Sequence, residues 1–526
     1  MHCRKFFSSS VLIALAIVVL PIAATLAQDP PAELLTVAES SGYKSTSTSA
    51  EVEKLVQQLD ARADHLSTFQ FGKTFEGRPM TAVMCANPKY EIGKQDERGV
   101  LLVIGNIHSG ECDGKEAILV LLREMALNAQ HPWLKNMVTI WVPNYNADAN
   151  DKMDLKNRPG QVGPDNGMGR RETAQNYDLN RDFMKLDSPE ARAMIGLIDR
   201  VNPDMFIDCH TTNGSKHQYQ LTYDIPHNPC SPAKIREYMR EKMMLDITDR
   251  LWEKGLRTFY YGNFDRGNKA WTTYGFEPRY STEYVGLRGK FAILSESYSY
   301  LDYKGRIDAT RFFVSECADY FSRHKDDIKS MVRSESEQWV ERTCVSDCDV
   351  EVALDAELLP FDEPYVLKGF DGEEPKDYTV KFFSRYVPTI QRKVPNAYVI
   401  PKALTNIVEK LRLHGIVVDE LAEEWSGKTV EATVQKIRRS PRAFQGHQMV
   451  RLEVDFAETQ TKATAGAFVI QVSQPMGRLA CYLLEPESND GLVTWNFLDD
   501  HLSEGKPFPI HRVMERVEFK VKKEPK

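Results

Sequence analysis

The chain has 526 residues, of which 42% are hydrophobic and 27% charged, and it carries a formal charge of −8. That length exceeds what a single hydrophobic core supports and implies two or more domains. An acidic chain with no run of lysines or arginines is not expected to take nucleic acid as a partner.

Arg4 and Lys5 precede an apolar run over 11–20, which Pro21 closes and small residues follow as far as Ala27. This is the pattern of a secretory signal peptide over 1–27, and its apolar run is shorter than the ~20 residues of a membrane span. Cleavage after Ala27 is expected, giving a secreted or periplasmic protein with no stable membrane anchor. Residues 28–49, rich in Pro, Ser and Thr, read as a flexible lead-in, and no inhibitory pro-domain is expected ahead of residue 50. Of the nine cysteines only Cys3 leaves with the leader. The rest are too sparse for a disulfide scaffold, although Cys344 and Cys348 are spaced to bridge a tight loop.

A helical pattern covers 50–63 and a short strand 80–85. The run 100–105 is apolar throughout and ends in glycine, as a strand buried on both faces would. A helix is predicted over 116–126, and strands over 138–142, 205–208 and 291–294. This alternation predicts an α/β domain over 50–325, with a mixed, mainly parallel sheet flanked by helices. Residues 326–344 read as a linker. Residues 345–526 read as a smaller β-rich C-terminal domain of unknown role, with strands over 467–472 and 479–484 and one helix over 402–413. Trp425 and Trp495 in this region suit core packing better than sugar stacking.

His108 and Glu111 follow the buried run 100–105 directly, and ligands in open α/β sheets sit at the carboxyl ends of strands. An imidazole and a carboxylate three residues apart in a turn can converge on one cation. The spacing alone is weak, because His501 and Glu504 repeat it in a polar stretch and read as a solvated pair. His210 strengthens it, standing at the end of another buried run. Two His and one Glu leave a fourth zinc position open, which is the catalytic arrangement. In the stretch Asp178-Leu179-Asn180-Arg181-Asp182-Phe183, the guanidinium of Arg181 suits a carboxylate, and Asp178 suits the far side of a metal-bound imidazole. Phe291-Ala292-Ile293-Leu294-Ser295 leads to Glu296, whose carboxylate, beside a metal-bound water, could act as general base.

His-x-x-Glu, Asp-Leu-Asn-Arg-Asp-Phe, a strand ending in His and a strand ending in Glu, in that order, resemble the zinc carboxypeptidase family of carboxypeptidase A-like metallopeptidases. The likeness covers about 50–325. Gly-Lys-Thr-Phe-Glu-Gly-Arg-Pro over 72–79 is similar to an early stretch of that family, and Asp-Cys-His-Thr-Thr-Asn-Gly over 208–214 resembles a bacterial-type secreted branch. The resemblance implies one Zn2+ per chain held by His108, Glu111 and His210, with Asp178 behind His108. It implies that Asn180 and Arg181 hold the terminal carboxylate of a peptide or peptide-like substrate, and that Glu296 is the general base. An arginine that polarises the scissile carbonyl corresponds to Arg171, with Arg170 as the alternative. A tyrosine closes over the substrate; Tyr274, Tyr280 and Tyr284 all lie in the right stretch, and Tyr284 is assigned to substrate binding. Asp182 departs from the Asn of many members. The expected activity is hydrolysis of C-terminal residues from peptides. A zinc amidohydrolase acting on acyl-amino acids or cell-wall peptides is the alternative, and a non-catalytic surface binding protein on the same fold is the alternative of another class.

Overall fold

The computed structural model describes residues 30–94, 96–346 and 348–522. The signal peptide expected over 1–27 lies outside the described residues.

Eight strands form the central sheet: β1 (Leu66–Lys73), β2 (Pro79–Cys85), β3 (Gly99–Gly105), β4 (Met137–Val142), β5 (Met205–Thr211), β6 (Leu221–Asp224), β7 (Thr258–Tyr260) and, after the short β8 (Asn263–Phe264) and β9 (Ala270–Thr272), β10 (Phe291–Ser297). Their order is β1-β2-β4-β3-β5-β10-β6-β7. The central run β4-β3-β5-β10 is parallel, while β1, β2 and β6 join antiparallel neighbours. Every residue of β3, β4 and β5 is buried, as their largely apolar sequences suit in strands covered on both faces. The expected mixed, mainly parallel sheet flanked by helices is therefore observed. The helices Ser49–Arg62, Asp113–Leu127 and Pro189–Val201 supply part of the cover.

Three expectations are corrected. The lead-in 28–49 is tied down within its described part: Thr36 and Glu39 form a capping box on the turn Val37–Ser40. Further along, Thr46 Oγ1 and Ser47 N–H donate to the buried carboxylate of Glu116 at 2.9 and 2.7 Å. A buried carboxylate needs donors, and this strap supplies them. Residues 326–344 are not a linker but mostly helix, because Tyr303–Thr343 is one helical run with a kink at His324. Its polar second half buries Ile328, Val332 and Trp339 on one face and leaves the charges in solvent. Residues 479–484 are not a strand but part of the helix Gly477–Leu484, buried at every position but Arg478. An apolar run buried on all sides has no periodicity to tell helix from strand.

The remainder is β-rich as expected, with β11 (Glu351–Pro360), β12 (Tyr365–Asp371), β13 (Glu374–Lys393), β14 (Ala397–Ile400), β15 (Asp419–Glu420), β16 (Trp425–Arg439), β17 (Val450–Ala463), β18 (Phe468–Gln471) and β19 (His511–Val513). One sheet, β15-β18-β14-β19-β16-β17, is built wholly from this region. Another is shared: β13 pairs in parallel with β9, matching Lys381 to Ala270 and Phe383 to Thr272. A single apolar cluster also runs from Leu102 and Phe206 of the central sheet to Val434 and Ile510. Trp495 is core, its Nε1–H donating to Asp490 at 2.8 Å, and Trp425 packs against Phe519.

Candidate active site

β3, β5 and β10 lie side by side and in parallel, so their carboxyl ends open on one edge of the sheet. β3 stops at Gly105, and Asn106 turns the chain with a left-handed φ of 65°. The segment 107–111 then brings His108 and Glu111 over the sheet edge. The following helix starts against β5: a Cβ on Gly114 would stand 2.7 Å from Cys209 Cβ, so only glycine lets it approach. His210 is on β5 and is directly paired in register with Glu296 on β10.

His108, Glu111 and His210 converge, with one ligand-type atom of each lying within 4.8 Å of the others, and all three are buried. Nδ1 of His108 is 3.2 Å from Glu111 Oε1, and Nδ1 of His210 is 2.9 Å from Glu111 Oε2. The opposite ring nitrogens face carboxylates: His108 Nε2 donates to Asp178 Oδ1 at 2.9 Å, and His210 Nε2 lies 2.9 Å from Asp208 Oδ2. Carboxylates behind both imidazoles orient them so that their Nδ1 atoms face one point, which is how proteins prepare histidines for a metal. The donor set of two imidazoles and one carboxylate fits zinc.

The electrostatics agree. Burial opposes a charged His210, but the carboxylates of Asp208 and Glu111 outweigh it and hold the pKa well above that of free imidazole. Burial likewise opposes an ionised Glu111, yet His108 and Arg158 keep its pKa well below the usual carboxylate range. Asp178 is lowered too, with His108, Arg181 and Arg171 overcoming its burial. The site thus keeps concentrated negative charge beside two imidazoles, a setting that favours a cation. Glu296 is different. Part of its surface opens to the cavity, but burial pushes its pKa up to about 8, with His210 lowering it and Glu111 adding to the rise.

His108, Glu111, His210 and Glu296 line a cavity of about 180 Å³ together with Arg171, Asn180, Arg181, Tyr261, Tyr274, Tyr280, Thr282 and Leu294. A larger cleft of about 630 Å³ lies at the other ends of the strands, beside Asp204 and Lys290, and holds none of His108, Glu111 and His210. Arg171 donates to Asp178 Oδ2 from Nε and Nη2, and its Nη1 is 3.2 Å from His108 Nδ1. Arg170 instead closes its own loop by bonding Glu172 O, Thr173 O and Asn176. Asn180 and Arg181 sit on the short 3-10 turn Leu179–Arg181, which Asp178 caps. The Arg181 guanidinium stacks 4.3 Å above the Tyr280 ring.

Tyr284, assigned above to substrate binding, is outside the cavity. It is fully buried, and its hydroxyl bonds His414 Nδ1 at 2.9 Å. The helix Ser281–Leu287 turns it toward the core, whereas Tyr274 and Tyr280, along with Tyr261, face the cavity. Three contributors escaped the sequence reading. Asp208 had a usable signal: two residues before His210 on a strand, it shares that face. Arg158 donates to Glu111 Oε1 at 2.6 Å and to the carbonyls of Thr211 and Thr212, but it sits in a long loop with no pattern to mark it. Gln445 accepts from the Asp178 N–H across 267 residues of chain, beyond any local signal.

The family model described as zinc carboxypeptidase matches residues 52–248. Carboxypeptidase 2 of Trichophyton tonsurans is 22% identical over 469 residues, covering 84% of this chain and 81% of its own. Carboxypeptidase 2 of Trichophyton rubrum is 21% identical over 438 residues, covering 78% and 75%. Among solved structures, the metallo-carboxypeptidase from Burkholderia cenocepacia is 18% identical with a TM-score of 0.38, over 52% of this chain and 68% of that one. The metallo-carboxypeptidase from Pseudomonas aeruginosa in complex with (2-guanidinoethylmercapto)succinic acid is 15% identical with a TM-score of 0.40, over 54% and 70%. With its ordered motifs and its converging His-Glu-His site, the chain is similar to metallocarboxypeptidases, and its residues 52–248 match the zinc carboxypeptidase family model.

Proposed function

We propose that the protein is a zinc-dependent carboxypeptidase that releases C-terminal residues from peptides, with Glu296 as general base. The observation that carries this reading is one cavity holding the His108–Glu111–His210 cluster, Glu296 and the Asn180–Arg181 pair together. His108, Glu111 and His210 would hold one Zn2+ per chain. When bound, the ion polarises a carbonyl and lowers the pKa of a water molecule.

The protein's own groups then divide the work. Arg181 offers its guanidinium, and Asn180 its amide, to the substrate's terminal carboxylate; a peptide lacking that charge forfeits the contact. This orients the last peptide bond over Glu296, which takes a proton from the attacking water and delivers it to the departing amine. Arg171 supplies positive charge beside the oxygen that becomes negative only in the transition state. Tyr274 and Tyr280 form the aromatic side of the cavity and exclude water once substrate fills it. Tyr274 is held by its hydroxyl donating to Glu283 Oε1 at 2.9 Å.

The protein is proposed to work outside the cytosol, a reading supported by the leader-like residues 1–27. Fractionation with the mass of the N-terminus tests this, and recovery of the protein only in the cytosol with residues 1–27 retained would refute it. The activity is tested by measuring zinc content and hydrolysis of a peptide panel, beside His210→Ala and Glu296→Gln. The expected result is about one zinc per chain with residue release, loss of both in His210→Ala, and loss of turnover with zinc retained in Glu296→Gln. Full turnover in Glu296→Gln would remove that residue from the mechanism, and absence of zinc from a folded, metal-replete sample would refute the reading.

A further inference from the structure

The connection between β16 and β17 crosses from the β-rich region to the back of the metal site. Its tip is a tight hairpin turn. Phe444 and His447 exchange both backbone hydrogen bonds, at 2.8 and 3.0 Å, and the residues between them, Gln445 and Gly446, have φ of 52° and 82°. Two left-handed residues inside a reciprocally bonded pair form a rigid turn whose twist matches its strands. The turn rests on the cavity-side loop, where a Cβ on Gly446 would lie 3.8 Å from the Tyr177 ring.

From this platform Gln445 Oε1 accepts the backbone N–H of Asp178 at 2.8 Å, and His447 Nε2 bonds Asp187 Oδ2 at 2.7 Å. The hairpin therefore grips both ends of 178–187, the segment that carries Asn180 and Arg181. The gripped end matters most. Asp178 Oδ1 accepts from His108 and from the Asn180 N–H, while its Oδ2 is 3.9 Å from Arg181 Nη1. Moving the Asp178 backbone would shift a metal-facing imidazole and the carboxylate-binding turn together. The same face of the β-rich region also holds Arg279, next to Tyr280: its guanidinium lies 4.9 Å over Trp495 and pairs with Asp490 at 3.1 Å.

We infer that the hairpin tip of the β-rich region is a positioning element of the active site, with Gln445 locking the Asp178 turn on which His108 and Arg181 depend. Its kinetic consequence rests on the carboxypeptidase reading; its effect on metal retention does not. Gln445→Asn keeps a residue that tolerates the left-handed backbone but falls one carbon short of the Asp178 N–H. Gln445→Glu keeps both the reach and the acceptor. In Gln445→Asn, zinc should pass to a chelator about 3–10 times faster, and KM for a peptide with a free carboxylate should rise by about 3–10-fold with kcat within about twofold. Gln445→Glu should move both values back toward those of the unmodified chain. Unchanged zinc release and KM would overturn the inference, as would a fall in kcat and Tm with KM intact, which marks general destabilisation. If the unmodified chain releases no C-terminal residue, the proposed function fails, and the zinc-release measurement alone decides the role of the hairpin.

Discussion

Asp208 offers a sharp test of how the candidate metal site is built. It is fully buried on β5, its Oδ2 lies 2.9 Å from His210 Nε2, and the same oxygen accepts Ser281 Oγ–H at 2.5 Å. Asp208→Asn keeps an oxygen acceptor at that place but removes the charge; Asp208→Ala removes both. A carboxylate behind a ligating histidine is worth about 10–100-fold in metal affinity, which is about 1.4–2.7 kcal/mol. A charge-assisted hydrogen bond contributes about 1.5–3 kcal/mol, so two independent routes give the same range. We therefore expect zinc Kd to rise about tenfold in Asp208→Asn and about a hundredfold in Asp208→Ala. The assay is competition against a chromophoric chelator. Ser281→Ala is the control, because it strips the carboxylate's other partner without touching His210, and it should change Kd by less than about threefold. A folded Asp208→Ala with the zinc affinity of the unmodified chain would refute the claim that this carboxylate orients His210.

Arg181→Ala should raise KM for peptides with a free C-terminus by roughly 10–100-fold and leave C-terminally amidated peptides unaffected, as a charge-assisted contact requires; equal losses on both substrates would refute its role. Tyr284→Phe leaves His414 Nδ1 without its donor in the core, so a loss of about 1–3 kcal/mol in urea unfolding with KM unchanged is expected. A selective rise in KM would return this residue to the substrate. Burial pushes Lys290 down from 10.5 to about 8, with Asp204 pulling the other way. Between those values the unfolded chain holds more protons, so stability rises with pH from about 8 to about 10.5, and below about 8 the folded state bears the whole cost of about 3 kcal/mol. Lys290→Met should therefore stabilise the protein at pH 7 by about 1–3 kcal/mol, less what Asp204 loses, with the gain fading above about pH 10. A gain independent of pH would contradict this.

The sequence by itself determined the α/β part and the candidate ligands, because both rest on local signals. Apolar runs over 100–105 and 205–207 mark strands buried on both faces, and the residues that follow such runs, His108 and His210, meet at the sheet edge because the two strands are parallel neighbours. Glu296 follows from the same rule on β10. What lacked a local signal was left to the tertiary structure. A polar helix such as the second half of Tyr303–Thr343 resembles a linker until its few apolar residues find a surface, and the helix Gly477–Leu484 has no polar face to set its period. Which tyrosine faces the cavity depends on how the helix Ser281–Leu287 is rotated against the core, and packing rather than sequence order sets that rotation. Asp208, Arg158 and Gln445 show increasing distance from any readable pattern: a strand neighbour, a loop residue, and a hairpin tip 267 residues away from the aspartate it holds. Local chemistry names the groups suited to bind a metal, whereas the groups that aim them are chosen by whatever the completed fold brings into reach.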